Sequence, residues 1–124
     1  MKSIELLAPA KDLQAAVAAV DYGADALYIG GARFGARHAA GNSAEEIARA
    51  VEYAHQYGVR VHATLNTLLY DGELAEAERQ ARELIAAGVD ALIVADLGAF
   101  TMAGKYAPRC ERHISTQASI CNYE

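Results

Sequence analysis

Three apolar helical patterns in this chain end at a glycine, and a short apolar strand pattern follows each glycine at once. The glycines are Gly23, Gly58 and Gly88, so the spacings are 35 and 30 residues. Glycine adopts the left-handed backbone that closes a helix more readily than other residues do. The residues after each glycine are rich in Leu, Ile, Val and Tyr, which is typical of buried strands. The pattern predicts successive βα units and therefore a parallel sheet.

Capping and breaking residues set the expected boundaries of these elements. Pro9 is expected to end the first strand, and Ser43 with Glu46 forms the S-x-x-E capping box of the second helix. Asp71 is a candidate N-cap for the third helix. The predicted strands are residues 4–8, 26–29, 60–65, 91–94 and a fifth that begins at 112–115, with a short helix at 97–105 after the fourth.

The third predicted strand alternates between apolar and polar residues. Central strands of an open doubly wound sheet are apolar on both faces, because helices cover both faces. A barrel strand has helices on one side and a lumen on the other, so one polar face favours a barrel. We therefore expect an α/β fold with about half of a TIM-like (β/α)₈ barrel, which needs about 250 residues when complete. The alternative is a five-stranded, flavodoxin-like open sheet. The apolar set is Val61, Ala63 and Leu65, and the polar set is Arg60, His62, Thr64 and Asn66.

Composition narrows the class of protein. The chain has 124 residues, of which 53% are hydrophobic, enough for one domain with a buried core. Eleven basic and 16 acidic residues give a net charge of −5, which argues against a general nucleic-acid surface. No apolar run approaches the roughly 20 residues of a membrane span, and no signal peptide is expected. Two cysteines near the C-terminus fit a reduced protein, so we predict a cytoplasmic location.

Polar residues at the carboxyl ends of the predicted strands are the candidate site, because chemistry in parallel sheets and barrels lies there. Asp96 is the carboxylate of the set, and we expect it either to act as an acid or base or to cap the helix after it. Asn66 and Gln117 carry amides that orient a substrate or hold a loop. The full set at these strand ends is Ala8, Pro9, Tyr28, Gly30, Gly31, Thr64, Asn66, Asp96, Thr116 and Gln117.

The glycine-rich loop after the second strand is locally basic. It carries Arg33, Arg37 and His38, and no acidic residue lies between Gly30 and Asn42. Such a loop suits a carboxylate or phosphate of an anionic substrate, while the alternative is a solvated loop. The glycine spacing matches neither the P-loop nor the dinucleotide-binding fingerprint.

Other titratable residues are interpreted structurally. His62 is expected to be buried and hydrogen-bonded inside the third strand. Glu5 is expected either to pair with it in the lumen or to lie at the solvated end of the barrel. Cys110, His113 and Cys121 have no spacing that indicates zinc or iron–sulfur ligation, so no metal site is predicted.

Four segments occur in the order ELLAPAKDLQAAVAAVDYGADALYIGGARFGAR, EYAHQYGVRVHATLNTLL, GVDALIVADLGAF and HISTQASICN. Together they resemble the N-terminal portion of the collagenase-like peptidase family (U-type family thirty-two). The resemblance implies a (β/α) barrel and a peptidase, that is, a hydrolase that acts on a peptide or another anionic substrate. The alternative within the family is an enzyme that supports hydroxylation of RNA bases or quinone precursors with an iron–sulfur cluster.

The resemblance also sets expectations for the site and the whole chain. It carries over Asn66, Asp96, Gln117 and the loop 33–37 as parts of a substrate mouth. The characteristic cysteines of the family lie downstream of the matched region. No cofactor is therefore expected within this chain, and an iron–sulfur cluster would belong to a C-terminal part. We expect residues 1–124 to be a single domain, the N-terminal half of a barrel from a longer protein, and inactive alone.

The open edges of a half barrel predict association. A strand at the edge of a sheet presents unpaired backbone groups, so the chain is expected to form a homo-oligomer or to join a partner half. In that case the chain would be a non-catalytic module. A phosphate-binding barrel enzyme of sugar metabolism is a further alternative, although its phosphate loops would follow strands seven and eight.

Overall fold

The computed structural model describes residues 4–36 and 41–123. Strands and helices alternate through these residues, as the glycine junctions predict. The strands are β1 (Leu7–Ala10), β2 (Ala26–Gly30), β3 (Arg60–Leu65), β4 (Ala91–Val94) and β5 (Glu111–Ile114). The helices are α1 (Leu13–Asp21), α2 (Ala44–Gln56), α3 (Leu74–Ala86) and α4 (Leu97–Tyr106), with 3₁₀ turns at Asp71–Glu73 and Thr116–Ala118.

The five strands form one parallel sheet in the order β1-β2-β3-β4-β5. A flavodoxin-like sheet has the order 2-1-3-4-5, with the first strand in the interior. Sequential order is the order of a (β/α)₈ barrel. The half-barrel prediction is therefore confirmed, and the flavodoxin-like alternative is wrong.

The apolar face of the sheet packs against the helices and forms the core. Val61, Ala63 and Leu65 of β3 are fully buried on this face, between Leu27 of β2 and Leu92 of β4. Consecutive helices also contact one another, so they form a single layer over the sheet. Burying one Leu, Ile or Val side chain contributes about 1.5–3 kcal/mol. The opposite face carries the polar residues of β3 and is open, as the alternation predicts.

The three glycine junctions have the geometry that the sequence indicates. The φ angles are +96° at Gly23, +71° at Gly58 and +92° at Gly88. A side chain at Gly88 would also meet Val51 on α2, since an added Cβ would lie 3.3 Å from its Cγ1 atom. Each junction therefore ends a helix and lets the chain enter the next strand within three residues.

The predicted first strand is wrong by about three residues. β1 begins at Leu7 rather than residue 4, and it contains Pro9 instead of ending there. Proline is tolerated because β1 lies at the edge of the sheet, where one side of the backbone needs no partner. Before β1, the backbone N–H of Leu6 donates to the carboxylate of Asp25, at 2.8 Å.

Two of the three capping predictions are confirmed. Ser43 Oγ accepts from the N–H of Glu46 at 3.2 Å, and the Glu46 carboxylate accepts from the N–H of Ser43 at 2.8 Å. Asp96 caps α4 by accepting from the N–H of Ala99 at 3.1 Å. Asp71 is not the N-cap of α3, because it begins a 3₁₀ turn and α3 starts three residues later without a side-chain cap.

Candidate active-site cavity

The open face of the sheet forms the floor of a cavity of about 560 Å³. This volume lies within the range of about 300–1,000 Å³ that is usual for small-molecule sites. The strands contribute the floor, and the residues after β3 and β5 contribute the mouth. Side chains that line the floor include Tyr28, His62, Thr64, Ile93 and His113, and the mouth includes Asn66, Ser115 and Gln117.

The strand register arranges the floor in two levels. His62 is level with Tyr28 on one side and Ala91 on the other. Two residues further along β3, Thr64 is level with Ile93. Ile93 in turn is level with His113, so His113 lies one level nearer the carboxyl ends of the strands than His62. The cavity therefore runs from the histidines toward the mouth, where Asn66 and Gln117 lie.

Asn66 holds the mouth together. Its Oδ1 atom accepts from the N–H of Ala36 at 3.0 Å, and its Nδ2 donates to Ser115 Oγ at 3.3 Å. Ser115 Oγ also accepts from the N–H of Gln117 at 3.1 Å. The loop after β2 and the ends of β3 and β5 are thus joined through one amide. Gln117 lies on the cavity as predicted, but in a 3₁₀ turn beyond β5 rather than at the end of a strand.

Asp96 lies outside the cavity lining and is engaged by backbone groups. Its Oδ1 caps α4, and its Oδ2 accepts from the N–H of Leu69 at 3.2 Å. Both oxygens therefore hold the segment after β3 against the start of α4. The capping role is confirmed, and the acid–base role stays a prediction.

Arg33 points to α3 rather than into the cavity. Its guanidinium forms an ion pair with Glu76, and its backbone carbonyl accepts from the side chain of Gln80. Arg37 and His38 fall outside the described residues. Among the described residues, Lys11 lines the cavity with a cationic side chain that is 78% exposed. An anion-binding role for the loop stays a prediction.

His62 is buried as predicted, but the predicted hydrogen bond is absent. The residue is 1% exposed, and neither ring nitrogen has a hydrogen-bond partner within residues 4–36 and 41–123. Burial, together with the charges of His113 and Arg60, lowers the pKa of His62. The predicted lumen partner, Glu5, instead lies with its carboxylate 3.9 Å from the guanidinium of Arg60.

His113 lines the cavity, although the sequence pattern did not identify it as a candidate site residue. Its ring packs against that of His62 at 87°, with the centroids 4.7 Å apart. Its Nε2 lies 2.9 Å from a carboxylate oxygen of Glu111, which also binds Arg60 at 2.7 Å. The guanidinium and then the imidazole lower the pKa of Glu111. The period-two pattern of β5, which sets Glu111 and His113 on one face, is the signal that would have found them.

A sequence profile of the family described as peptidase family U32 matches residues 11–124. The chain belongs to peptidase family U32. Relatives in this family carry different functional names. The chain is 49% identical over 121 residues to the 23S rRNA 5-hydroxycytidine C2501 synthase of Escherichia coli, covering 98% of this chain and 18% of that protein. It is 40% identical to tRNA hydroxylation protein P1 of Bacillus subtilis, covering 99% of this chain and 29% of that protein.

A U32 relative named for proteolysis is less similar. The chain is 30% identical over 126 residues to a collagenase of Porphyromonas gingivalis, covering 100% of this chain and 30% of that protein. The chain therefore spans about a fifth to a third of the length of these three curated relatives. The sequence resemblance to the collagenase-like family is confirmed at the level of the family.

A solved structure supports the barrel architecture of this U32 chain. An HpcH/HpaI aldolase from Desulfitobacterium hafniense superposes with a TM-score of 0.55 at 14% sequence identity. The superposition covers 97% of this chain and 45% of the aldolase chain. At this identity the likeness shows the fold alone, and the fold is a TIM barrel of which this chain matches about half.

Within the described part of this U32 chain, no three His, Cys, Asp or Glu side chains are grouped as ligands of a metal ion. Cys110 Sγ lies 3.8 Å from the carbonyl oxygen of Asp90, and burial raises the pKa of its thiol. Cys121 is exposed. In the described part of the chain, no helix is long and apolar enough to cross a bilayer.

Proposed function

We propose that this chain forms part of the barrel of an enzyme that hydroxylates an RNA base. The observation that carries the proposal is the order of identities among the relatives. Two proteins named for RNA hydroxylation are 49% and 40% identical to this chain, whereas two relatives named for proteolysis, an uncharacterized protease of Methanocaldococcus jannaschii and the collagenase, are 37% and 30% identical. Peptide hydrolysis, the first interpretation of the family resemblance, has the weaker support of the two.

The cavity offers surroundings suited to a base taken out of an RNA stack. Enzymes that modify a base usually accept it from a single strand or extrude it into a pocket. The floor combines hydroxyl and imidazole groups with the apolar side chain of Ile93, and the mouth carries amides. We assign Gln117 to contact with the base and Asn66 to holding the mouth in shape.

The charge of the chain limits what it contributes to RNA binding. A net charge of −5 does not favour contact with a long stretch of phosphates. The exposed cation at the cavity is Lys11, and Arg33 would have to leave Glu76 to reach a phosphate. We therefore propose that this chain serves the base itself and that most phosphate contacts in such an enzyme lie outside the described surface.

The proposal is tested by exchanging the matching segment of the E. coli 23S rRNA synthase for this chain. The chimaera is produced in cells that lack the synthase, and 5-hydroxycytidine at C2501 is measured by mass spectrometry of 23S rRNA. Restored hydroxylation is expected, because 49% identity over 121 residues conserves the barrel wall. A chimaera with the aligned segment of the collagenase is the matched control and is expected to restore less.

The informative negative result is a chimaera that is as abundant and as thermally stable as the native synthase but leaves C2501 unmodified. That result would contradict the proposal, since folding would then not explain the failure. The reciprocal chimaera is the collagenase with this chain in place of its aligned segment. Cleavage of gelatin or a peptide library by that chimaera would favour peptide hydrolysis instead.

A further inference from the structure

A carboxylate and a guanidinium are connected to two imidazoles, of His62 and His113, that line the cavity. Arg60 binds Glu111 at 2.7 Å, and the same carboxylate lies 2.9 Å from Nε2 of His113. The His113 ring then packs against the ring of His62. These four residues come from two strands of one sheet face, β3 and β5, and the β4 residues between them are Ala91 and Ile93. We call this set the histidine group.

The ion pair with Arg60 determines which nitrogen of His113 carries a proton in the neutral ring. The guanidinium keeps Glu111 ionised by lowering its pKa. An ionised carboxylate only accepts hydrogen bonds, so Nε2 of His113 must be the donor. In a neutral imidazole the other nitrogen is then an acceptor. Within residues 4–36 and 41–123, no hydrogen bond occupies Nδ1 of His113.

His62 restricts the orientation of that acceptor. The ring of His62 is buried, and its edge-to-face packing against His113 at 4.7 Å limits rotation of the His113 ring. Both nitrogens of His62 also lack partners in the described residues, although a buried polar group without a hydrogen bond costs about 1–3 kcal/mol. Two imidazoles in one cavity thus have hydrogen-bonding capacity that the chain itself does not use.

The charges around the cavity distinguish the class of ligand. Two carboxylates lie at this end of the cavity, because Glu111 belongs to the histidine group and Glu5 lies 3.9 Å from Arg60 of the same group. Both carboxylates oppose an anionic group there. A neutral planar ring with an N–H donor has no such penalty. Such a ring also packs against the apolar side chain of Ile93 and the ring of Tyr28, which line the same cavity.

We propose that His113 recognises a neutral nitrogen heterocycle in this cavity. Nδ1 of His113 accepts a hydrogen bond from an N–H group of the heterocycle. Glu111 and His62 are positioning residues, because the first fixes the protonated nitrogen and the second fixes the ring. The inference rests on the proposed function in one respect, namely that the RNA base is the heterocycle. For cytosine the donor is the exocyclic amino group.

The test uses cytidine and N4,N4-dimethylcytidine, which has no N–H on its base, as paired probes. Each is titrated into the ¹⁵N-labelled chain and followed by NMR, including the ring nitrogens of His113. We expect the Nδ1 resonance to move with cytidine alone. The dimethyl probe should bind about tenfold more weakly, which corresponds to about 1.4 kcal/mol.

Two substitutions separate hydrogen bonding from packing. His113→Phe keeps a ring against His62 but removes the acceptor, so it should bind both probes equally weakly. His113→Asn loses the ring but keeps an acceptor near the position of Nδ1, so it should retain preference for cytidine. His55→Phe is the matched control, because His55 lies on α2 and pairs with Asp90 away from the cavity.

Absence of cytidine binding by the native chain would overturn the inference, as would an unchanged preference in His113→Phe. These outcomes are distinct from failure of the proposed function. If the chimaera leaves C2501 unmodified while the chain discriminates the probes through His113, the recognition site stands and the hydroxylation role falls. If the chimaera restores the modification and the two probes bind alike, the hydroxylation role stands and the recognition site falls.

Discussion

At the scale of single residues, the burial of His62 links folding stability to pH. Its pKa is lowered in the folded chain from an ordinary value of 6.5, so the unfolded chain binds the proton more readily. The contribution of His62 is therefore present above pH 6.5 and is lost as the pH falls below it. We expect the free energy of unfolding to decrease as the pH falls below about 6.5, by at most about 1.4 kcal/mol per pH unit from this residue.

Urea unfolding at a series of pH values checks this expectation. In His62→Phe the decrease should be smaller, since the ring is kept and the titrating group is removed. Tyr22→Phe serves as the control, because Tyr22 is 91% exposed, and it should retain the full decrease. Equal pH dependence in the native chain and His62→Phe would show that His62 is not responsible.

Asp96 allows the capping role to be separated from the predicted acid–base role. Asp96→Ala removes acceptors for the N–H groups of Ala99 and Leu69, and we expect a loss of about 1–2 kcal/mol. Asp96→Asn keeps one acceptor oxygen but replaces the other with an amino group, so it should lose stability by less than Asp96→Ala, about 0.5–1 kcal/mol. Urea unfolding measures both, and the same variants in the chimaera report on hydroxylation. Loss of hydroxylation in a stable Asp96→Asn chimaera would support the acid–base role.

The candidate site was partly predictable from residue patterns. Asn66 and Gln117 lie on the cavity because polar residues after parallel strands converge at one edge. The partner of Arg33 was not predictable, because Glu76 lies 43 residues away in sequence on α3 and many acidic residues were available. The period-two pattern of β5 places Glu111 and His113 on one face, but their contacts with Arg60 and His62 were not predictable, because those residues lie on β3, 51 residues earlier in the sequence.

At the scale of elements, two glycine junctions provide a matched test of backbone strain and packing. Gly23 and Gly88 have similar φ angles, +96° and +92°, and so similar strain is expected for alanine at either position. An added Cβ at Gly23 meets nothing within 4 Å, whereas at Gly88 it meets Val51 at 3.3 Å. We expect a loss of about 1–2 kcal/mol for Gly23→Ala from strain alone.

Gly88→Ala should lose more than Gly23→Ala, because α2 must also shift or Val51 must change rotamer. The free energies of unfolding of the two variants in urea give the comparison. Adding Val51→Ala to Gly88→Ala removes the contact with the new Cβ. Apart from the cost of the cavity that Val51→Ala leaves, the loss in the double variant should then equal that in Gly23→Ala. Equal losses for the two glycine variants would mean that the contact with Val51 relaxes freely.

The accuracy of the element predictions follows from position in the sheet. The bounds of β3 and β4 are those predicted, since these interior strands pair on both sides and their pattern of burial is strong. β1 was misplaced because an edge strand needs fewer backbone partners and admits Pro9. α3 was started too early because the 3₁₀ turn at Asp71–Glu73 uses the same kind of acidic, glycine-containing sequence as a helix N-terminus.

At the scale of the whole molecule, the two sheet edges carry exposed aliphatic side chains. Leu7 on β1 is 42% exposed and Ile114 on β5 is 44% exposed. Exposed edge strands with apolar side chains favour pairing between chains. We expect the native chain to associate as its concentration rises, as measured by light scattering coupled to size-exclusion chromatography.

Lysine at both edge positions, Leu7→Lys with Ile114→Lys, should reduce this association. Leu97→Lys is the control, because Leu97 is 75% exposed but lies at the start of α4 rather than on an edge strand. If the edge variant associates as strongly as the native chain, β1 and β5 do not form the surface through which the chain associates.

The sequential strand order has a consequence for how the chain acquires its structure. Every strand pairs with the next one along the chain, at a separation of about 35 residues or fewer. Contacts between residues close in sequence favour rapid folding, since little loop-closure entropy opposes them. Each βα unit can therefore join the sheet as soon as it leaves the ribosome. The fold can grow in the direction of synthesis, with each completed strand serving as the template for the one that follows.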